Sequence, residues 1–152
     1  MAGMGLSTDV AVPVKSLANF IEMATLAVKE HYPDLEIILV AHMGDGNVHF
    51  IPRFNFERWK ALSNQSEVGE HVRCLVHDVA AKLQGTFSAE HGVGYVLVEE
   101  LERLRAPNEV ALMRQIRQTI DPATLFNRGK LTRALRTYPG AETPYGPYPA
   151  KP

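Results

Sequence analysis

The spacing of apolar residues in the N-terminal part of the chain is the feature that most limits how it can fold. Two segments, beginning near Leu17 and Ser66, have apolar residues three and four positions apart, which is the period of an amphipathic helix. Between them lie two aliphatic runs, residues 35–41 and 48–51, separated by Gly44-Asp45-Gly46. This arrangement predicts two antiparallel strands around a tight turn, with a helix on either side in sequence.

Two further strands complete the pattern. A short strand is expected before the first helix, at residues 9–13, and another after the second helix, at residues 85–88. The resulting order, β-α-β-β-α-β, is that of the ferredoxin-like fold. We therefore expect an α+β domain with an antiparallel sheet, helices on one face, and additional C-terminal helices at residues 95–103 and 108–120.

Length and composition favour one globular domain. The chain has 152 residues, of which 45% are hydrophobic and 22% charged, which is sufficient for a hydrophobic core. We place the domain at residues 9–137, after an N-terminal extension at residues 1–8. Residues 138–152 are rich in proline and lack an apolar period, so an extended or disordered tail is expected there.

Charge and cysteine content limit the partners and the compartment. The formal net charge is -1 and no run of Lys or Arg is present, so nucleic acid is not an expected partner. No apolar stretch approaches the roughly 20 residues that span a bilayer. The single cysteine, Cys74, excludes an internal disulfide and is typical of a reducing compartment, so we expect the cytoplasm.

Two histidines flank the central turn. If Asp45-Gly46 forms a two-residue type I′ turn, His42 directly opposes His49, with Cβ atoms about 4.5–5.5 Å apart. The two imidazoles could then bind one metal ion, while Met43 and Val48 point to the other, buried face. A four-residue loop, or two strand histidines without a shared role, are the alternatives.

Glu90 and His91 supply what the hairpin lacks. A carboxylate completes a two-His-one-carboxylate metal set, and a second imidazole lies next to it in sequence. Consecutive strand residues point to opposite faces, so both can line one cavity only if the chain turns at Gly92. By itself, an acid-His-Gly string is usually an ordinary loop. A metal-dependent hydrolase that activates water and a noncatalytic ferredoxin-like module with structural histidines remain alternative functions.

Other polar residues have simpler explanations. His71 and His77 are six positions apart on a helix, about 240° around it, so they cannot share a site and are expected to face solvent. Arg53 is expected to be a surface arginine at a strand end, with contact to a substrate carboxylate as the alternative.

Four motifs in a fixed order resemble the FAD-linked oxidases of the vanillyl-alcohol oxidase type, particularly D-lactate, glycolate and D-2-hydroxyglutarate dehydrogenases. The motifs are Asp9-Val10-Ala11-Val12-Pro13, then His42-Met43-Gly44-Asp45-Gly46-Asn47-Val48-His49, then Ser88-Ala89-Glu90-His91-Gly92-Val93-Gly94, and finally Asp121-Pro122 followed by Asn127-Arg128-Gly129-Lys130. The resemblance is to the C-terminal, substrate-capping part of such enzymes. Arg128 stands where the family has proline. Ile51 stands where relatives of the 2-hydroxyglutarate type often have asparagine, so the resemblance does not name the acid.

The resemblance implies a reaction and roles for four residues. His42, His49 and Glu90 would bind a divalent metal, with zinc, manganese and iron all suited to such ligands. His91 would be the active-site base. The implied reaction is oxidation of a small D-2-hydroxy acid to the 2-oxo acid, with FAD taking the hydride.

The resemblance also implies a missing partner. The family's Asn-Pro-Gly-Lys segment lies toward the flavin, so Asn127 and Lys130 are the expected cofactor-side residues. The family's FAD-binding domain precedes the matched region, and no Gly-rich dinucleotide motif occurs in this sequence. We therefore expect a fragment, a recombinant piece or one subunit of a split enzyme, which is inactive without an FAD-binding domain or subunit.

Overall fold

The computed structural model describes residues 3–132. The chain divides into two compact units, Met1–Gly94 and Tyr95–Pro152. The elements of the first unit are β1 (Gly3–Gly5), β2 (Thr8–Ala11), α1 (Leu17–His31), β3 (Glu36–His42), β4 (Asn47–Asn55), α2 (Phe56–Ala61) and α3 (Gln65–Lys82). The second unit contains α4 (Val98–Leu104) and α5 (Pro107–Ile120). Among residues 3–132, no helix has both the length and the apolarity needed to cross a bilayer.

Strand β4 is the centre of an antiparallel sheet. It pairs with β3 on one edge and with β1 and β2, one after the other, on the opposite edge. The strand expected at residues 85–88 is reduced to two isolated bridges, Ala11 with Thr86 and Asp9 with Ser88. These bridges place the segment beside β2, as in a ferredoxin-like sheet, and the α+β prediction is confirmed.

The boundaries of the first unit differ from the expected domain limits. Strand β1 pairs with residues 53–55, so residues 3–5 belong to the sheet although we assigned them to an extension. The chain also divides after Gly94 rather than continuing as one unit to residue 137. The expected tail at residues 138–152 lies outside the described residues.

The core lies between the two long helices and one face of β4. Phe20 of α1 packs edge-on against Phe50 of β4, with ring centres 6.0 Å apart. The buried apolar side chains of the two helices repeat at helical spacing and are Leu17, Phe20, Ala24, Val28, Val68, Val72, Val76, Val79 and Ala80. Those of β4 alternate and are Val48, Phe50, Pro52 and Phe54. The alternation leaves His49, Ile51 and Arg53 on the opposite face of the sheet.

The hairpin between β3 and β4 has a different register from the one expected. His42 pairs with Asn47 and Val40 pairs with His49, so the prediction that His42 directly opposes His49 is wrong. Residues 43–46 form the four-residue loop that was the alternative. Met43 is 67% exposed, contrary to expectation, whereas Val48 is buried as expected.

Two contacts explain why the loop is longer than two residues. The Asp45 side chain accepts a hydrogen bond from the Asn47 backbone N–H at 3.1 Å, which closes an Asx turn. Gly46 has a φ of +79°, and its carbonyl accepts a hydrogen bond from Val12 N–H at 3.1 Å. A Cβ at Gly46 would lie 2.0 Å from the Val12 carbonyl oxygen. The end of the hairpin is therefore held by Val12, the residue that follows β2, as well as by its own turn.

We expect Gly46→Ala to destabilise the chain by about 1–3 kcal/mol, because it combines a left-handed backbone with a backbone clash. Gly44→Ala is the matched control, since nothing lies within 4 Å of a Cβ at that position. Thermal unfolding of both variants measures the difference. Equal stability of the two would contradict the close approach of Gly46 to Val12.

Helix α3 corrects one expectation about histidines. His77 is 1% exposed, and its ring lies 5.8 Å from that of Phe87, so the prediction that it faces solvent is wrong. His71 is exposed, as expected, and its Nδ1 lies 2.9 Å from the hydroxyl of Tyr32. Six positions correspond to about 240° of rotation, so the two histidines point about 120° apart around the helix. His77 can therefore face the core while His71 faces solvent.

Candidate metal-binding site

Four side chains meet beside the centre of the sheet. Asp9, His49, Glu90 and His91 each offer a ligand atom, and these atoms all lie within 4.8 Å of one another. Asp9 of β2 and His49 of β4 are direct cross-strand partners. Glu90 and His91 follow the bridge at Ser88. The sheet thus brings together three segments that are far apart in sequence.

The loop at residues 89–91 is held by the Asp9 carboxylate. Its Oδ2 accepts hydrogen bonds from the backbone N–H groups of Ala89, Glu90 and His91 at 3.1, 2.9 and 2.8 Å. Gly92 follows with a φ of +74°, so the turn required there is present. This turn allows Glu90 and His91 to lie in one cluster despite being consecutive.

The two imidazoles of the cluster have the same orientation. Nε2 of His49 lies 3.1 Å and Nε2 of His91 lies 3.9 Å from Glu90 Oε1. Nδ1 of His49 lies 3.9 Å from Asp9 Oδ1, and Nδ1 of His91 lies 3.8 Å from Asp9 Oδ2. The rings are stacked, with centres 5.4 Å apart and planes inclined by 26°. Each ring therefore turns Nδ1 toward Asp9 and Nε2 toward Glu90.

His42 lies beside this cluster and is not one of its four members. Its pairing with Asn47 places it on the same sheet face as His49, one diagonal position away. The ring centres of His42 and His49 are 6.5 Å apart, with planes inclined by 83°. His42 and His49 therefore share one face of the sheet, as expected, although the strand register differs from the expected one.

The donor set fits a divalent cation. Ligand atoms of a tetrahedral ion with bonds of 2.0–2.1 Å are roughly 3.3 Å apart, close to the 3.1 Å that separates His49 Nε2 from Glu90 Oε1. Two imidazoles on one such ion have ring centres roughly 5 to 6 Å apart, and those of His42 and His49 are 6.5 Å apart. Glu90 and His91 are 45% and 61% exposed, which leaves the site accessible to a small molecule.

Asp9 differs from the other members in being buried, with 6% of its side chain exposed. Among residues 3–132, its Oδ1 has no hydrogen-bond partner. Burial, the largest influence, would raise the pKa of Asp9. The backbone N–H groups of Glu90 and His91, together with the charges of His91 and His49, outweigh it and place the pKa below the usual value of 3.8. Asp9 is therefore held as a carboxylate.

Asp9 is the member of the cluster to which the sequence analysis gave no role. One signal could have identified it, because it is the acidic residue of an otherwise apolar strand, Asp9-Val10-Ala11-Val12. A buried carboxylate is unfavourable unless it is paired or accepts hydrogen bonds, so an acid in such a strand indicates a specific polar partner.

Arg53 lies on the same sheet face as His49, and its guanidinium donates to the carboxylate of Glu36 on β3. The two residues are direct cross-strand partners. In this structure the Arg53 guanidinium therefore binds a carboxylate of the protein itself, where we had considered a substrate carboxylate as the alternative.

The residues expected on the cofactor side lie in the second unit. Asn127 and Lys130 are exposed and lie in the segment that follows α5. Arg117 of α5 donates to the carbonyl oxygens of Phe126, Asn127 and Lys130 at 2.7, 3.1 and 2.6 Å. These hydrogen bonds fix the backbone that presents the two side chains.

Asp121 fixes the beginning of the same segment. Its carboxylate accepts hydrogen bonds from the N–H groups of Leu125 and Phe126 at 2.9 and 3.0 Å. These two hydrogen bonds, with a smaller contribution from Arg117 and against a small effect of burial, lower the pKa of Asp121. A lowered pKa in the folded state means that the ionised carboxylate stabilises the segment.

We expect Asp121→Asn to accelerate amide hydrogen exchange at Leu125 and Phe126, because a neutral amide accepts these hydrogen bonds less strongly. In the wild type, the stabilisation is present above the ordinary pKa of 3.8 and is lost as the pH falls through the lower folded value. Exchange measured at neutral pH in both proteins tests this, with Asp34→Asn as the control on an exposed loop aspartate. Unchanged protection at the two amides would show that Asp121 does not hold the segment.

Comparison with known proteins supports the sequence resemblance. Residues 2–131 match the family described as FAD linked oxidases, C-terminal domain. The chain is 34% identical over 128 residues to a D-2-hydroxyglutarate dehydrogenase of Stutzerimonas stutzeri, covering 83% of this chain and 27% of that protein. It is 35% identical over 127 residues to a D-lactate dehydrogenase of Archaeoglobus fulgidus, covering 84% of this chain and 26% of that protein.

A third relative comes from a plant. The chain is 31% identical over 124 residues to the mitochondrial D-lactate dehydrogenase [cytochrome] of Arabidopsis thaliana, covering 82% of this chain and 21% of that protein. The chain thus spans about a quarter of the length of the curated relatives that it matches.

Proposed function

This chain belongs to the FAD-linked oxidases, whose C-terminal domain its sequence matches, and we propose that it forms the substrate side of a flavin-dependent D-2-hydroxy acid dehydrogenase. The proposed substrate is a small acid of the lactate or glycolate kind, which is oxidised to the 2-oxo acid. The observation that supports this most strongly is the 3.1 Å approach of His49 Nε2 to Glu90 Oε1, with the imidazole of His91 stacked on that of His49.

We propose that His42, His49 and Glu90 bind a divalent metal. The two histidines lie on one face of the hairpin, and Glu90 Oε1 faces His49 Nε2 at a distance suited to shared ligation. Such a two-His-one-carboxylate set leaves coordination positions for a ligand. A cation bound there would orient the carboxylate and hydroxyl of the substrate and lower the pKa of that hydroxyl.

We assign proton removal to His91. Its ring is more exposed than that of His49, and its backbone N–H is fixed by Asp9, so the side chain is positioned at the open edge of the cluster. An imidazole is the side chain most often used to accept a proton near neutral pH. The FAD of the complete enzyme would take the hydride from the substrate carbon.

The cofactor side is proposed for Asn127 and Lys130. Both are exposed on a segment whose backbone is fixed by Arg117 and Asp121. A backbone held by hydrogen bonds, with exposed polar side chains, is suited to contact a partner domain that holds the flavin. We also propose that the chain works in a reducing compartment, the cytoplasm, because it has a single cysteine. One of the relatives is a mitochondrial protein.

We expect the isolated chain to bind no FAD and to leave 2-hydroxy acids unoxidised, because the proposal places FAD binding in a partner domain. Absorbance of the purified protein between 350 and 500 nm would reveal a bound flavin. A chimera tests the proposal in the positive direction, with residues 2–131 of this chain replacing the matched part of the Stutzerimonas dehydrogenase. Reduction of its flavin by D-lactate, glycolate or D-2-hydroxyglutarate supports the function. A folded, flavin-loaded chimera that none of these acids reduces contradicts it.

A further inference from the structure

We propose that Asp9 is the positioning residue of this site: it fixes the loop of Glu90 and His91 and holds both imidazoles with Nδ1 turned inward. Nε2 of His49 is then available for metal ligation, and Nε2 of His91 for the substrate proton. The inference rests on the proposed function for the use of these atoms, whereas the orientation of the rings is given by their distances to Asp9 on one side and Glu90 on the other.

The first contribution of Asp9 is to the loop. Its Oδ2 accepts three backbone hydrogen bonds, from Ala89, Glu90 and His91, and so determines where the chain turns away from the sheet. Three donors at 2.8 to 3.1 Å occupy the acceptor capacity of one carboxylate oxygen. Oδ2 is therefore committed to the loop and is not a metal ligand.

The second contribution is to His49. Asp9 and His49 are direct cross-strand partners, and Oδ1 lies 3.9 Å from Nδ1. Oδ1 is buried and has no hydrogen-bond partner among residues 3–132. An unsatisfied buried acceptor is costly, and a small tilt of the ring would allow an Nδ1–H to donate to it.

This hydrogen bond would support the tautomer of His49 that ligation requires. In the metal-free chain, Nε2 lies 3.1 Å from Glu90 Oε1, and because a carboxylate oxygen only accepts, Nε2 is the donor there. A cation bound to Nε2 would take the place of that proton, and the one N–H of the neutral ring would then be on Nδ1. Ligating histidines commonly donate their second N–H to a carboxylate, which fixes the tautomer and the ring orientation. Asp9 Oδ1, 3.9 Å from Nδ1, is placed to accept it.

His91 faces the negative charge of Asp9 rather than a free acceptor, because the loop already occupies Oδ2. Its Nδ1 lies 3.8 Å from Oδ2, and its Nε2 points to the side of Glu90. A proton on Nδ1 would leave Nε2 able to accept the proton of a substrate hydroxyl. One carboxylate thus gives the same orientation to the proposed ligand and to the proposed base.

The variant Asp9→Asn separates positioning from a merely structural contribution. The amide oxygen can still accept the backbone hydrogen bonds of the loop, but the amide NH₂ that replaces Oδ1 cannot accept one from His49. NMR of the imidazole N–H groups of the Zn²⁺-loaded full chain reports how fast the Nδ1–H of His49 exchanges with water. We expect slow exchange in the wild type, where Asp9 Oδ1 accepts this N–H, and faster exchange in Asp9→Asn. Asp121→Asn is the matched control, because the wild-type Asp121 carboxylate also accepts backbone N–H groups, and it should leave the exchange unchanged.

Metal titration gives a second measurement. We expect the affinity for Zn²⁺ to fall about 10- to 100-fold in Asp9→Asn, the usual effect of losing the hydrogen-bond partner of a ligating histidine. Asp9→Ala should lose the loop anchor as well, so amide exchange at Glu90 and His91 should accelerate. Unchanged Nδ1–H exchange and unchanged affinity in Asp9→Asn would overturn the inference, as would fast exchange of the His49 Nδ1–H in the Zn²⁺-loaded wild type, which requires no variant to fold.

Failure of the proposed function has a different signature. If the wild-type chain binds neither Zn²⁺ nor Mn²⁺, but amide exchange at Glu90 and His91 is slow and accelerates in Asp9→Ala, the proposed metal site is overturned and the positioning of the loop by Asp9 stands. A chain that binds metal with full affinity in both wild type and Asp9→Asn would overturn the inference about Asp9 and leave the metal site standing.

Discussion

Replacing His49 by alanine is expected to lower the affinity of the chain for Zn²⁺ or Mn²⁺ by more than about 100-fold, because a direct ligand contributes more than the 10- to 100-fold of an outer hydrogen-bond partner. His49 is the member of the cluster that faces Glu90 at 3.1 Å, and its backbone lies in the central strand β4. The variant should therefore lose the ligand without moving the sheet. Calorimetric titration of chelator-treated protein measures the change.

The same titration of His42→Ala tests the ligand that lies outside the cluster of four. We expect a comparable loss, because a third protein ligand is needed to hold the cation and His42 is the neighbouring imidazole on that sheet face. His31→Ala is the matched control, since His31 is exposed at the end of α1 and its ring lies beside His71. Wild-type affinity in both His49→Ala and His42→Ala would remove the proposed site. Loss in His49→Ala alone would replace His42 by another ligand.

Sequence patterns predicted the helices and the sheet well because both have strong periods. The apolar spacing of α1 begins at Leu17 and stops before Tyr32-Pro33, and the helix has those limits. The short last strand was overestimated, because residues 85–88 form only two bridges to β2. After Ser88 the chain does not continue to pair with β2, because the backbone N–H groups of residues 89–91 bind the Asp9 carboxylate instead. No local sequence pattern indicates a contact with a residue so far away in sequence.

The hairpin register could not be predicted from the turn sequence alone. Asp45-Gly46 suits a two-residue turn, yet the loop is longer because Gly46 is also held by Val12 of a segment far away in sequence. His42 and His49 nevertheless share a face in either register, because a shift of two positions preserves the alternation of the strand. The shared sheet face of the two histidines was therefore predictable, whereas the exact pairing and the 6.5 Å between their ring centres were not.

The role of Asp9 needed the three-dimensional arrangement. Its strand was predicted, but the partners that give it meaning are the backbone N–H groups of residues 89–91 and the ring of His49. A backbone N–H that donates to a distant side chain leaves no signature in the identity of its own residue. The residues that do have such a signature, two histidines and an acid-histidine pair, are those that the sequence analysis identified.

His91→Ala in the flavin-loaded chimera is expected to slow flavin reduction by about a hundredfold or more, the usual contribution of a positioned acid-base group, while metal content stays near that of the wild type. The loop should survive the substitution, because Asp9 is bonded to the backbone N–H of His91 and not to its ring. His91→Asn keeps some hydrogen-bonding capacity but cannot act as a base near neutral pH, so it should be equally slow.

Stopped-flow measurement of flavin reduction at saturating D-lactate or glycolate separates the loss of rate from a loss of binding. His71→Ala, on the exposed side of α3, is the control for histidine removal. Reduction at the wild-type rate in His91→Ala would show that another group removes the hydroxyl proton, and the neighbouring carboxylates of Glu90 and Asp9 would then be the next residues to replace.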